Sequence, residues 1–242
     1  MQIGNSQEFD WIKEGILPMK EKNEFWEGNI IGNLLPDRFD KYLKILHPIY
    51  KDRFVIDKKL TWEDNEDTEG VPGERVLWRQ LAAELCIEFK PEINSWAFYS
   101  AFERKWPRYL IGPHEGCMEE RCLNEVISLL GKMSKQSYYF FFDYMKTSDF
   151  TELLFEGKSD EMLVAMKFKT IKKYSEREKY SPTYIWPRDK EFCINTDYDL
   201  QFTVVGCSNR FFEILSNNDW FECIEVMHST RIDYKAMEPL LL

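Results

Sequence analysis

The chain predicts an α+β fold: a mixed, mainly antiparallel sheet with helices packed on one face, closed by a C-terminal β-β-α-β unit. Three observations carry that expectation. Segments with the two-residue period of strands and segments with helical spacing both occur, but without the regular βαβ alternation of a parallel sheet. Residues 184–226 place two alternating runs, a helix-length segment and a closing apolar run in immediate succession. Finally, 242 residues with 44% hydrophobic and 16% aromatic content can bury one large core, so residues 1–242 read as a single globular domain.

Taken in order, residues 1–35 mix Trp11, Ile12, Ile16, Leu17, Phe25, Trp26, Ile30 and Ile31 with charges and no clear period, which predicts a wrapping segment with one short helix. Residues 38–47 admit two readings, because Phe39, Tyr42, Leu43 and Leu46 fit helical spacing while Leu43 and Ile45 fit a strand. Pro48 ends either one. Residues 57–74 combine an acidic block with Gly70, Pro72 and Gly73 and read as an exposed loop. Leu77, Trp78, Leu81, Ala82 and Leu85 then recur at three- and four-residue spacing, giving an amphipathic helix.

The aromatic stretch 95–110 has no decisive period and is bounded by Pro107 and Pro113. A second helix is expected at residues 119–133, with Leu123, Val126, Ile127, Leu130 and Met133 on one face. Glu115, Glu119 and Glu120 lie near its start, where the helix dipole favours negative charge. Residues 138–145 form an aromatic run that predicts a central strand. Residues 153–156 suggest a strand, 160–168 a short helix or strand, and 174–182 a polar loop.

In the C-terminal unit, Trp186 and Pro187 read as a turn. Phe192, Ile194 and Thr196 alternate with Cys193, Asn195 and Asp197; Phe202, Val204 and Gly206 alternate with Thr203 and Val205. Residues 198–200 join these two strands and Gly206 marks a bend. Ser208 is the expected N-cap of a helix over 209–216, residues 221–226 return as a strand, and 227–242 form a tail.

Composition narrows the function classes. The formal net charge of −10 repels phosphate backbones and anionic lipid, so neither nucleic acid nor a membrane is an expected partner. The basic run Lys167, Lys169, Lys172 and Lys173 reads as a solvated face. The first residues lack a basic segment followed by an apolar one, and no apolar run is long enough to span a bilayer; the expectation is a cytoplasmic protein. Its cysteines, Cys86, Cys117, Cys122, Cys193, Cys207 and Cys223, should then be reduced. Cys117 and Cys122 have no second pair or histidine pair to complete a zinc site, and neither a metal nor a cofactor is expected.

The run Trp186, Pro187, Asp189, Cys193, Thr196, Asp197 and Asp199, followed by Val205, Gly206 and Ser208, resembles a large family of uncharacterised soluble bacterial proteins. Members carry a Trp-Pro-x-Asp-Arg-x-Trp-Cys-Val-x-Thr-Asp-x-Asp run and then a Val-Gly-Gly-Ser bend. Tyr42, Leu46, His47 and Pro48 are similar to that family's Tyr-x-x-x-Leu-His-Pro segment, and residues 139–144 resemble its aromatic strand. The resemblance implies a strand at 38–47; it implies no activity, since the family has none established. Here Lys190 stands for Arg, Phe192 for Trp and Cys207 for the second Gly. A cysteine would be strained there if the bend needed positive φ.

Asp197 and Asp199 lie two apart, so on an extended segment both carboxylates would share a face, able to hold a cation or to divide acid and base duties. As turn residues they would instead bond the backbone. His47, before Pro48, reads as a structural donor or as a base. Trp186 is a candidate pocket wall; Arg188, Asp189 and Asn195 are the candidate binding residues beside it. No phosphate-binding glycine loop, dinucleotide fingerprint, nucleophile elbow or zinc-protease motif is present.

The sequence therefore favours a non-catalytic binding protein for a protein or small ligand, with an immunity-type or toxin-neutralising role as one version, since an acidic surface can cap a basic toxin. Two alternatives stand beside it: an enzyme using Asp197 and Asp199, with His47, on a small substrate, and a structural or oligomer-forming protein.

Overall fold

Strands buried on both sides alternate between two apolar faces, and here that alternation organises the molecule. The computed structural model describes residues 2–3, 6–19, 28–64, 69–133, 137–142, 162–167 and 181–237. Among them the strands are β1 (Gln2–Ile3), β2 (Lys41–Leu46), β3 (Ile49–Asp52), β4 (Pro72–Val76), β5 (Leu110–Ile111), β6 (Ser137–Phe142), β7 (Met162–Lys167), β8 (Tyr184–Pro187), β9 (Phe192–Asn195), β10 (Phe202–Cys207) and β11 (Glu222–Val226). The helices are α1 (Asp10–Gly15), α2 (Trp78–Glu84), α3 (Ser95–Ala101), α4 (Glu120–Met133) and α5 (Asn209–Ser216).

Eight strands make an antiparallel sheet in the order β1-β7-β6-β8-β9-β10-β2-β11, and β4-β3-β5 make a small second sheet. The α+β class and the antiparallel sheet are thus as the sequence predicts. β10 and β11 both run antiparallel to β2, which lies between them, so β10-α5-β11 is a crossover that straddles a strand. The expected β-β-α-β order of 184–226 holds for β9, β10, α5 and β11, and β8 adds a strand in front of it.

Leu43, Ile45, Phe140, Ile185, Phe192, Ile194 and Val205 point to one face and pack under α4 and α5. Tyr42, Leu46, Phe141, Tyr184, Trp186, Phe202 and Val204 point to the other, where Ile12 of α1, Trp78 and Leu81 of α2 and Phe98 of α3 cover them. The two longest helices therefore share a face, while three shorter ones cover the opposite face, so the helical cover is two-sided where the sequence predicts it on one face. Helical cover on both faces explains why β6 reads as an unbroken aromatic run and why every residue of β10 is buried.

Several local features differ from the sequence reading. Trp186 and Pro187 end strand β8 rather than forming a turn. Pro187 pairs only with Tyr138 of β6, on a residue where β9 no longer pairs, so its missing N–H breaks no bond to β9. Residues 57–74 are not loop throughout: a 3-10 turn forms at Trp62–Asp64, and Pro72 opens β4. Residues 227–237 are more than a tail. The Ile31 amide donates to Thr230 O and the Gly32 amide to His228 O, each at 2.9 Å, while Asp233 is buried and paired with Arg231 at 2.8 Å. Positions 153–156, the 143–145 end of the aromatic run and Lys169, Lys172 and Lys173 lie outside the described residues; 162–167 within the 160–168 segment is strand.

Gly206 and Cys207 continue β10 instead of bending it, and Cys207 has no positive φ. Gly206 is needed for a different reason: a Cβ there would sit 2.3 Å from the Phe39 ring. Gly206→Ala should cost about 1–3 kcal/mol in urea unfolding, and Phe39→Leu in the same chain should recover part of it. An equal loss in single and double variants would show that the ring contact is not the cause.

Candidate functional site

β2 leaves the large sheet at Leu46 and β3 enters the small one at Ile49, so His47 and Pro48 alone form the corner between the two sheets. His47 is fully buried. Its Nδ1 lies 2.7 Å from His114 O and its Nε2 3.0 Å from Thr203 Oγ1. A carbonyl can only accept, so Nδ1 carries the proton. Nε2 accepts from the Thr203 hydroxyl, which then accepts from Thr196 Oγ1 at 2.8 Å. Burial, partly offset by the His114 carbonyl, pushes the imidazole down to about 4, so the ring is neutral at physiological pH. His47 also donates its amide to Gln201 O at 3.1 Å and accepts the Trp78 indole at 2.8 Å.

The loop ending at Glu115 and the turn ending at Gln201 are thus hung on one residue. A second strap joins them, the Gly116 amide donating to Leu200 O at 3.2 Å. Gly116 has φ of +79°, and a Cβ there would meet Tyr198 O at 2.6 Å, so only glycine permits this approach.

Between these segments and α3 lies a pocket of about 240 Å³ lined by Ser95, Trp96, Tyr99, Trp106, Gly112, Pro113, Glu115 and Gln201. Asn94 caps α3 by accepting the Ala97 amide at 3.2 Å and donates to Asp233 O at 3.0 Å, which brings the C-terminal segment alongside. Trp96 and Tyr99, one turn apart, meet edge to face at 5.3 Å between ring centres, and Tyr234 tilts against Trp96 at 5.0 Å. The Trp106 indole donates to Leu110 O at 3.0 Å, which fixes its plane. Gly112 leaves that ring uncovered, since a Cβ would rest 3.6 Å from it.

The predicted carboxylates are not among the lining residues and take different roles. Asp197 is buried and its Oδ1 accepts the Asp199 amide at 3.0 Å, a turn cap. Asp199 is half-buried, and burial raises its carboxyl against a hydrogen bond from Tyr198. Glu115, exposed at the mouth, is raised by partial desolvation and then by the Asp199 charge, while a bond from Gln201 lowers it. Burial first, then Glu115, Asp199 and Asp197, push the Tyr234 hydroxyl up to about 12. The charges of all three carboxylates thus reach one tyrosine. Among the described residues, no three histidine, cysteine or acidic side chains are disposed to hold a metal ion, all six cysteines are unpaired, and no helix is long and apolar enough to cross a membrane.

Comparison with protein-family models, curated proteins and solved structures returns no match for this chain.

The other candidates lie elsewhere. Trp186 is wholly buried among Phe9, Trp11 and Tyr139, with the Tyr139 ring stacked on it at 5.5 Å, so it is core rather than pocket wall. Arg188 and Asp189 are exposed at the β8–β9 connection, the length of β9, about 13 Å, from Asp197. Asp189 accepts the Glu191 amide at 3.2 Å and lines a separate cleft with Arg38, Asp40 and Lys190. Asn195 is buried and donates to Thr183 O at 3.3 Å. Sequence reasoning missed Trp96, Tyr99, Trp106, Gly112, Glu115 and Gln201; the signal available was the three-residue spacing of Trp96 and Tyr99.

Proposed function

We propose that the protein is a non-catalytic binding protein whose ligand seats in the pocket between α3, residues 112–115 and Gln201. The observation that carries this is the joining of an aromatic wall to the Glu115 carboxylate at the mouth, beside a histidine whose two ring nitrogens are engaged in the fold. Concave, mostly apolar sites with a few fixed polar groups are how proteins hold small ligands or a single side chain of a partner. The net charge of −10 suits a basic partner, which keeps an immunity-type or toxin-neutralising role within this reading. Six unpaired cysteines suit a reducing, cytoplasmic setting.

Gly112→Val tests the site. Its methyl groups would fill the space in front of Trp106 without straining the backbone. In a ligand-observed NMR screen, compounds that bind the natural protein should lose at least tenfold in affinity against this variant; unchanged binding would place the ligand elsewhere.

One observation favours a catalytic reading: Glu115 and Asp199 are neighbouring carboxyls, each raised by desolvation, as an acid and base pair would be. The two readings part on the fate of the ligand. A binding protein releases it unchanged after long incubation, whereas an enzyme returns a product that Glu115→Gln no longer forms.

A further inference from the structure

The pocket walls specify a ligand chemistry. Trp96 and Tyr99, both in the lining, meet edge to face, and Tyr234, outside the lining, supports Trp96 with 52° between planes. Rings so arranged form a corner. A planar group such as a nucleobase or guanidinium is gripped best between parallel faces, whereas a corner of faces encloses a rounded group from several directions. Indole and phenol faces carry negative quadrupole charge, and compact organic cations bind to them when partly desolvated. The indole N–H of Trp106 is already given to Leu110 O, so that ring offers the pocket a face rather than a donor.

Charge points the same way. Among the described residues, none of the lining side chains is cationic, and Glu115 lies at the mouth. Asp199 and Asp197 add their fields around Tyr234, close behind. Glu115 and Asp199 raise the free energy of each other's charge, so a cation entering between the rings and Glu115 would relieve that repulsion, while an anion would add to it. Size sets the last limit: about 240 Å³ takes a head group of a few heavy atoms, not a nucleotide or an oligosaccharide.

We propose that this pocket binds an organic ammonium group, methylated or primary, held against the faces of Trp96, Tyr99 and Trp106 with Glu115 as its counter-charge. This rests on the binding reading above and names the ligand that reading leaves open. The ammonium group can belong to a free metabolite or to a lysine side chain of a partner, and the two sources share the same recognition.

Isothermal titration of the full chain with choline and with its uncharged carbon isostere, 3,3-dimethylbutan-1-ol, separates charge from shape. Choline should bind at least tenfold more tightly. Glu115→Gln, a change on the surface that leaves the core alone, should weaken choline about three- to tenfold and leave the isostere unaffected. Choline affinity should also fall as pH drops toward the raised Glu115 carboxyl, since protonation removes the counter-charge. Trp96→Leu should abolish choline binding, with Trp96→Phe restoring part of it if the leucine variant folds poorly. A peptide bearing trimethyllysine, run beside choline, tells the sources apart: tighter binding of the peptide assigns a protein partner, tighter binding of choline a metabolite. Equal affinity for choline and the isostere would overturn the ammonium assignment. So would failure of choline and the peptide to bind while other compounds still enter the pocket and are lost in Gly112→Val. In both cases the pocket itself would stand.

Discussion

His47→Leu is expected to cost about 2–4 kcal/mol at pH 7, and the cost should shrink as the solution is made acid. Leucine fits the volume of the site but leaves the His114 carbonyl and the Thr203 hydroxyl without their ring partners. Buried groups stripped of one bond each account for a loss of that size. The pH dependence follows from the depressed basicity of the ring. Folded, His47 takes up a proton only near about 4; unfolded, it does so near the ordinary histidine value of about 6.5. Between those limits the unfolded chain holds more protons, so the natural protein loses stability as pH falls, by about 3 kcal/mol over the whole window. The leucine variant has no such group and escapes that loss. Urea titrations at pH 7 and near pH 4.5 should therefore find the two proteins far apart and then close together. A gap that stayed constant would mean that the ring is not held neutral. At pH 7 the variant should also bind ligand more weakly, because the Glu115 loop and the Gln201 turn lose one of their two ties.

The central strands were legible in the sequence because burial on both faces leaves short, nearly unbroken runs of strand-forming apolar residues, too short for a buried helix. β6 and β10 illustrate this. β2 was ambiguous from its residues because Lys44 interrupts the apolar run Tyr42–Leu46, and a buried lysine looks like a solvent-facing one. α3 was hidden by having two apolar faces. It buries Phe98 on the core side and presents Trp96 and Tyr99 to the pocket, so apolar residues occupy two faces and the helical period is lost.

The acidic pair was legible only as a pair. Two-residue spacing puts side chains on one face of a strand, but β9 ends at Asn195 and the chain turns at Tyr198. Asp197 is consumed as a cap and Asp199 is left facing Glu115. Nothing local in the sequence joins Glu115 to Asp199, 84 positions apart. That meeting depends on the corner at His47, whose ring holds one loop and whose amide holds the other. Sequence patterns report what a residue does within its own element, and a site assembled by a corner between two sheets falls outside their reach.

Lys44→Met should stabilise the protein relative to the natural chain at neutral pH and lose that advantage in alkali. Lys44 is wholly buried, with its ammonium donating to Ile93 O at 2.7 Å and lying 4.5 Å from the centre of the Phe202 ring. Those contacts and the more distant charge of Glu92 do not replace water, and burial brings the side chain down to about 7. Below that value both folded and unfolded chains carry the charge, and the folded chain bears the full cost of burying it. Between about 7 and the ordinary lysine value of about 10.5 the unfolded chain keeps its proton while the folded one has released it, so stability rises with pH. Methionine matches the length of the side chain and has nothing to titrate. The stability of the natural protein measured against Lys44→Met should accordingly improve by about 3 kcal/mol from pH 7 to pH 9.5, with all other titrating groups cancelling in the comparison. Parallel denaturation curves across that range, with no change in the difference, would mean that the lysine reaches water or a carboxylate partner in solution.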